Sequence, residues 1–225
     1  MSRRRDRIAV YEQLSRIGKA VASPARIELL DLLAQAPRTV EALARLTGQS
    51  LANVSQHLQI LRRTNLVESD KRGLFVTYRL ADDEVAELMV AMRRTTESRL
   101  PDLERAARRY LGVSIGVDAE KREALIERVR RGVVTVVDVR PMEEFRAGHL
   151  PGAISMPIDR LEHGTARLSK KKPIVAYCRG PYCAFAREAV ALLRARGHRA
   201  EILDEGVVEW RARGLPVERA GAQES

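Results

Sequence analysis

SLANVSQHLQILRRTNLVESDKRGLFVTYRL, residues 50–80, changes its hydrophobic period halfway along. Up to residue 63 the apolar residues recur at the three- and four-residue spacing of a helix. Asn65 follows, where a helix end favours a residue that tolerates the left-handed conformation. Two short strand-like runs then flank a basic turn at residues 70–73. The stretch therefore predicts a helix followed by a hairpin with a basic tip.

Further helical patterns surround this stretch. Ser23-Pro24 and Thr39 are typical helix starts, and Gly48 is a typical helix end. Helices joined by a tight turn and followed by a hairpin predict a winged helix-turn-helix. The helical patterns lie at residues 8–21, 23–37, 39–47 and 85–100.

The helix that begins near residue 49 has two different faces. Placed 100° apart, Val54, Leu58 and Leu61 fall on the core side, and the outer face is rich in amides and nearly free of acids. Amides can pair with adenine in the major groove of double-stranded DNA, and basic side chains suit its phosphates. Alternatively, the amides only solvate a surface helix, but the preceding turn and the basic hairpin favour DNA. The predicted DNA-binding residues are Gln49, Ser50, Ala52, Asn53, Gln56, Arg62, Arg63, Lys71 and Arg72.

VSQHL at 54–58, the LRR and LV around the helix end and YRL at 78–80 resemble the ArsR family of bacterial repressors, over residues 8–100. The resemblance implies a homodimer formed through the first and last helices, and hence an inverted-repeat operator. Many relatives sense metals through cysteine or histidine ligands. Here TVEALARL at 39–46 has neither, and the last helix offers only carboxylates, so we expect no metal site.

After residue 112 the pattern changes to alternating strands and helices, which favours a parallel sheet with helices on both faces. The predicted fold class is therefore α+β and multidomain: a winged helix-turn-helix at 1–100, a linker at 101–117 and an α/β domain at 118–220. The strands of the second domain are predicted at residues 133–139, 153–158, 174–178 and 199–204, with a helix at 184–196.

IVAYCRGPYCAFAREAV, residues 174–190, contains both cysteines of the chain. Cys178 lies between a strand and a helix, where backbone N–H groups and the helix N-terminus would stabilise a thiolate and lower its pKa. Such a thiolate can accept a sulfane sulfur and pass it on. Arg179 is a candidate for holding an anionic donor, within a loop that continues through Gly180, Pro181 and Tyr182.

DVR at 138–140, GHLPGA at 148–153 and EGVVEWRARGLPV at 205–217 resemble a rhodanese domain. The resemblance implies that Cys178 is the catalytic cysteine. Pro181 replaces a usual glycine, and Cys183 stands where arginine or threonine often helps to bind thiosulfate. Cys183 is therefore either a small buried residue or a resolving thiol that attacks a persulfide on Cys178.

The composition limits the remaining possibilities. A net charge of +10 permits a polyanionic partner, although basic surfaces are common. The apolar runs are short and no signal peptide is recognisable, so we expect a cytoplasmic protein without membrane contact. Two cysteines five positions apart in a reducing compartment favour chemistry over a structural disulfide. No cofactor is expected.

The sequence thus predicts a dimeric ArsR-type repressor that is controlled by sulfane sulfur at Cys178, with or without Cys183. Its partners would be operator DNA, a sulfane-sulfur donor and a thiol acceptor. A first alternative is a sulfurtransferase that forms a Cys178 persulfide and uses the winged helix only for localisation or dimerisation. A second is a plain repressor whose rhodanese-like half is an interaction scaffold.

Overall fold

The computed structural model describes residues 2–112, 119–165 and 168–219 of the chain. The chain divides into two compact units, Met1–Met89 and Val90–Ser225, and the division falls within the helix Asp83–Arg99. The boundaries given above stay a prediction, and residues 113–118 lie outside the described part of the chain. The first part of the expected linker is a helix, Pro101–Leu111. Its signals are a proline at the first helical position and Gly112 at the end, in the left-handed conformation.

The N-terminal unit is a winged helix-turn-helix, as predicted. The hairpin strands pair antiparallel with Val67 opposite Leu80, and the sheet order is β1-β3-β2. The elements are α1 (Ser2–Val21), α2 (Pro24–Gln35), β1 (Arg38–Thr39), α3 (Val40–Thr47), α4 (Leu51–Arg63), β2 (Val67–Arg72), β3 (Phe75–Leu80) and α5 (Asp83–Arg99), the last of which continues into the second unit.

Local sequence signals set the ends of these helices. The Thr39 hydroxyl accepts a hydrogen bond from the N–H of Ala42, and Gly48 ends α3 with φ +66°. Asn65 has φ +56°, as its place after α4 predicts. Ser23 occupies the expected N-cap position of α2, but its side chain makes no capping hydrogen bond.

The apolar stripe of α1 is largely exposed in the single chain. Ile8, Tyr11 and Leu14 expose 46%, 60% and 65% of their surface, whereas Ala20 at the end of the same helix is buried. A contiguous exposed apolar stripe on a helix is typical of a surface that another chain covers. None of the described helices is long and apolar enough to cross a membrane.

The second unit contains a parallel sheet in the order β5-β4-β6-β7, as predicted. The strand β5 is shorter than predicted, because Pro157 is already the N-cap of the next helix, which begins at Ile158. The elements that follow α5 are α6 (Pro101–Leu111), α7 (Ala119–Arg130), β4 (Thr135–Asp138), α8 (Met142–Ala147), β5 (Ile154–Ser155), α9 (Ile158–Gly164), β6 (Ile174–Tyr177), α10 (Phe185–Ala195), β7 (Ala200–Leu203) and α11 (Val207–Ala212).

The central strand β6 separates two apolar cores. Ile174 and Ala176 pack with residues of α9 and α10 on one face. Val175 and Tyr177 pack with residues of α7 and α11 on the other face. A strand that is buried on both faces reads as a continuous apolar run, as IVAY does. Cys178 is therefore the first residue after a strand that is packed on both faces.

Candidate functional site

Both cysteines lie in the loop between β6 and α10, and they are joined by a disulfide. Cys178 exposes only 1% of its surface, whereas Cys183 is half-buried against the core of α9 and α10. Their Cα atoms are 6.2 Å apart, within the range that a disulfide spans. The bond closes a ring that contains Arg179, Gly180, Pro181 and Tyr182.

Close packing fixes the backbone of this ring. Gly180 has φ +134°, which favours glycine, and a Cβ there would stand 3.3 Å from a carboxylate oxygen of Glu209. Behind Cys178, a Cβ on Gly206 would stand 2.6 Å from the Cys178 carbonyl oxygen. The N–H of Cys183 donates to the Gly180 carbonyl oxygen at 3.2 Å, so this amide serves the turn.

Arg179 is tied to a buried carboxylate. Its Nε lies 3.1 and 3.0 Å from the two oxygens of Glu144, and its Nη2 lies 2.6 Å from Oε1. Glu144 is fully buried, and a buried carboxylate needs such a partner. The guanidinium predicted to hold an anionic donor is thus paired with α8 of the protein itself.

A buried network holds the strands beneath the loop. Arg140 donates to Asp138 from Nε at 3.0 Å and from Nη2 at 2.7 Å, and it also donates to the Gly148 carbonyl oxygen. The Tyr177 hydroxyl donates to Asp138 and accepts from the N–H of Leu150 at 3.1 Å. Burial and the Asp138 charge raise the pKa of Tyr177 well above its ordinary value. Burial opposes the charge of Arg140, but its hydrogen bonds to Asp138 raise its pKa on balance.

The ring also contacts the last turns of α5. The Tyr182 hydroxyl donates to Glu97 at 2.8 Å. One helical turn earlier, Arg93 pairs with Glu209, whose other carboxylate oxygen accepts from the N–H of Gly206 at 2.6 Å. Burial and the hydrogen bond to Glu97 raise the pKa of Tyr182 above its ordinary value. Sequence reasoning did not assign roles to Arg93, Glu97 or Glu209, because their partners lie far along the chain.

An apolar cleft of about 290 Å³ lies beside β4 and the start of α10. Ile158 and Phe185 line it, and both pack with Cys183 against the same core. The cleft is therefore close to the half-buried cysteine. Its other lining residues are Val139, Pro141, Met142, Pro157, Asp159 and Arg160.

The predicted DNA-binding residues lie on the surface of the N-terminal unit. Val54, Leu58 and Leu61 are fully buried on the opposite face of α4, as predicted. The Ser50 hydroxyl accepts from the N–H of Asn53 at 3.3 Å and caps the helix. Ala52, Asn53, Gln56, Arg62, Arg63, Lys71 and Arg72 are exposed, and Gln49 is half-buried.

Some of these residues are hydrogen-bonded within the protein. The Asn53 amide donates to Gln49 at 2.8 Å, so the two amides form a pair at the start of α4. Arg72 pairs with Asp70 at 2.9 Å at the hairpin tip. Among the described residues, no group of three or more His, Cys, Asp or Glu side chains is placed to hold a metal ion.

Comparison with known protein families assigns both halves. Residues 23–69 match the bacterial regulatory proteins of the arsR family, and residues 121–213 match the rhodanese-like domain. A sulfurtransferase of Allochromatium vinosum is 31% identical over 85 residues, which is 37% of this chain and 78% of that protein. A crystal structure of residues 1–100 of a possible transcriptional regulatory protein from Mycobacterium bovis is 40% identical. The match covers 40% of this chain and 96% of the Mycobacterium bovis chain, with a TM-score of 0.38.

One relative matches both halves together. The HTH-type transcriptional regulator Rv0324 of Mycobacterium tuberculosis is 44% identical over 210 residues, which is 93% of this chain and 92% of that protein. A match over 93% of this chain includes most of both the helix-turn-helix and the rhodanese-like domain. The chain therefore belongs to the ArsR-type HTH transcriptional regulators and carries a rhodanese-like domain in its C-terminal half.

Proposed function

We propose that this regulator is a dimeric cytoplasmic repressor whose affinity for its operator depends on the sulfur chemistry of Cys178 and Cys183. One observation carries the proposal: the two cysteines of the chain meet in one ring, at the carboxyl end of the central strand of the rhodanese-like domain. A rhodanese-like domain provides the place for sulfur chemistry, and the winged helix provides the output.

The output requires a homodimer and an inverted repeat. The exposed stripe of Ile8, Tyr11 and Leu14 on α1 supports dimerisation, because one chain leaves it uncovered. In a symmetric dimer, the α4 helices would enter successive major grooves about one helical turn apart. Asn53 and Gln56 would read bases, while Arg62 and Lys71 would contact phosphates.

The input is a two-step reaction with a persulfide, RSSH. The Cys178 thiolate attacks the outer sulfur of the donor, the donor S–S bond breaks, and RS⁻ leaves, so Cys178 carries –SSH. The Cys183 thiolate then attacks the inner sulfur, forms the Cys178–Cys183 bond and releases HS⁻. The sulfane sulfur is reduced to hydrosulfide while two thiols become a disulfide, so the donor is itself the oxidant.

For this chemistry to control transcription, one sulfur state must stabilise the DNA-binding conformation more than the other. The difference in operator affinity between the two states equals that coupling free energy. Cellular thiols would reopen the disulfide and reset the regulator.

A sulfurtransferase is the second candidate, and the similarity to the Allochromatium vinosum protein named a sulfurtransferase favours it. In that case Cys178 would pass its sulfur from thiosulfate or a persulfide to an acceptor thiol or cyanide. Against efficient thiosulfate turnover, Arg179 is paired with Glu144 and a cysteine stands at position 183. Steady thiosulfate:cyanide turnover that survives Cys183→Ser would favour this candidate.

The test uses the full chain and an operator selected from random double-stranded DNA. Fluorescence anisotropy gives the dissociation constant before and after treatment with an excess of polysulfide. We expect a change of about tenfold in the wild type and none in Cys178→Ser or Cys183→Ser, because neither variant can form the Cys178–Cys183 disulfide. An unchanged constant in the wild type, with the disulfide confirmed by mass spectrometry, would refute the sensor and leave the scaffold.

A further inference from the structure

Tyr182 lies inside the ring that the disulfide closes, and its side chain reaches α5. Its hydroxyl donates to a carboxylate oxygen of Glu97 at 2.8 Å. Glu97 also lies 3.9 Å from Arg93 on the same helix face. A residue within the cysteine ring is thus hydrogen-bonded to a charged group outside the rhodanese match, which begins at residue 121.

A second contact joins the ring to the same helix turn. Gly180 packs so closely that an added Cβ would stand 3.4 Å from the Arg93 guanidinium and 3.3 Å from Glu209. Arg93 is ion-paired with Glu209, which is buried. The ring therefore meets α5 at Arg93 through packing and at Glu97 through a hydrogen bond.

The helix α5 is continuous from Asp83 to Arg99. Its first residues, including Val85, Ala86 and Met89, are buried and belong to the N-terminal unit. A helix is stiff over this length, since each residue is held by hydrogen bonds one turn away. A shift or a loss of helical structure in the last two turns of α5 would therefore affect a helix whose first residues belong to the N-terminal unit.

We propose that Tyr182 and Glu97 are positioning residues that carry the state of the cysteine ring to α5, and thereby to the DNA-binding unit. This inference rests on the proposed function and names the step by which the sulfur signal leaves the rhodanese-like domain. With the disulfide closed, the loop between Cys178 and Cys183 is part of a closed ring, which restricts Tyr182 to positions near Glu97. With the two cysteines apart, the loop gains conformational freedom, and holding Tyr182 on α5 costs more entropy.

The neutral state of Tyr182 supports this role. Burial and Glu97 both raise the pKa of its hydroxyl, so it keeps its proton and remains a donor throughout the neutral range. A neutral donor to a charged carboxylate is among the stronger side-chain hydrogen bonds. The Tyr182 hydroxyl can therefore serve as the donor in both sulfur states of the ring.

The test measures operator affinity of the full chain as the dithiol and as the disulfide, in the wild type and four variants. Tyr182→Phe removes the donor and keeps the ring, and Glu97→Leu removes the acceptor. Glu97→Gln keeps an acceptor oxygen but not the charge, and it should restore part of the coupling. Tyr110→Phe is the control, because Tyr110 is an exposed tyrosine on α6. Mass spectrometry verifies that every variant forms the disulfide.

We expect Tyr182→Phe and Glu97→Leu to reduce the ratio of the two dissociation constants about fivefold, from about tenfold in the wild type to about twofold, because they remove the hydrogen bond that links the ring to α5. Tyr110→Phe should keep the wild-type ratio, and Glu97→Gln, which keeps an acceptor oxygen without the charge, should retain more of that ratio than Glu97→Leu. If the dithiol and disulfide forms of the wild type differ in operator affinity and Tyr182→Phe keeps that difference in full, the inference is wrong while the proposed function stands. If the two forms of the wild type bind the operator with equal affinity, the proposed function fails instead.

Hydrogen exchange provides a readout without DNA. In the wild type, amides of residues 93–99 should exchange more slowly in the disulfide form than in the dithiol form. Tyr182→Phe should remove that difference, and Tyr110→Phe should not. Equal exchange of these amides in both wild-type forms would overturn the link from the ring to α5, whatever the operator does.

Discussion

The outer face of α4 and the cysteine ring are the two proposed functional regions, and they are built differently. On α4 the candidate residues are exposed, and their side-chain partners lie within four residues, as for Asn53 and Gln49. In the ring, two side chains are tied to distant parts of the chain: Arg179 to Glu144, 35 residues away, and Tyr182 to Glu97, 85 residues away. Substitutions on the exposed face of α4 should therefore act one residue at a time, whereas a change in the ring should also affect its distant partners.

The largest expected effect lies beneath the ring. Asp138→Ala leaves Arg140 buried without its carboxylate partner, so it should lower the free energy of unfolding by about 3–5 kcal/mol. Trp210, the single tryptophan, lies in the same unit and reports its unfolding by fluorescence in a denaturant titration. Asp159→Ala is the control, because Asp159 is exposed. Similar losses in the two variants would contradict the stated role of the buried network.

The second effect concerns the exposed face of α4. Asn53→Ala or Gln56→Ala should weaken operator binding by about 1–3 kcal/mol, because a base contact is lost. Stability should change by no more than about 0.5 kcal/mol, since both side chains are exposed. Thr95→Ala, at an exposed position of α5, is the matched control in the same anisotropy titration. Equal loss on selected and scrambled DNA would show that these amides do not read bases.

The sequence predicts the α4 region well because its information is local. Helical spacing, the Thr39 cap, and the residues Gly48 and Asn65 at the helix ends all lie close to the elements they shape. The parallel sheet is also predictable, because a central strand buried on both faces is a continuous apolar run. The helix after Pro101 lies in the predicted linker, although its proline start and glycine end are helix signals.

The ring is only half predictable. Its place after β6 follows from the sequence, but the pairing of Arg179 with Glu144 does not, since nothing near Arg179 indicates a buried carboxylate. Arg93 and Glu209 lie 116 residues apart, and their meeting depends on tertiary packing alone. No helical or strand period marks Glu97 as the partner of a loop tyrosine. Contacts of this kind become visible only in three dimensions.

A smaller effect separates phosphate contacts from base contacts. Lys71→Ala, at the hairpin, should weaken binding to selected and scrambled DNA by a similar factor. It should also reduce the slope of log affinity against log salt by about one, because one fewer counterion is released. Affinity measured at several salt concentrations checks this. A slope unchanged from the wild type would place Lys71 outside the DNA interface.

The smallest effect under ordinary conditions concerns Tyr177. The pKa of Tyr177 is raised in the folded protein. Its contribution to the free energy of unfolding is therefore complete below pH 10, the ordinary pKa of tyrosine, and is lost as the pH rises above that value. Above that pH the unfolded chain loses a proton that the folded chain keeps. The stability should then fall by about 1.4 kcal/mol per pH unit from this group.

Tyr177→Phe should remove that alkaline slope, although it also lowers stability at neutral pH by leaving the N–H of Leu150 without its acceptor. Denaturant titrations of both proteins between pH 8 and about pH 11 compare the two slopes. If the variant keeps the wild-type slope, another group is responsible for it.

One partition measurement tests most directly the claim that the cysteine ring controls DNA binding. Wild-type protein, half of it oxidised, is equilibrated with less operator than protein, and the bound and free fractions are separated. Mass spectrometry then gives the share of Cys178–Cys183 disulfide in each fraction. The account predicts that the two fractions differ in this share by about tenfold in the ratio of disulfide to dithiol. Equal ratios in the bound and free protein would contradict it.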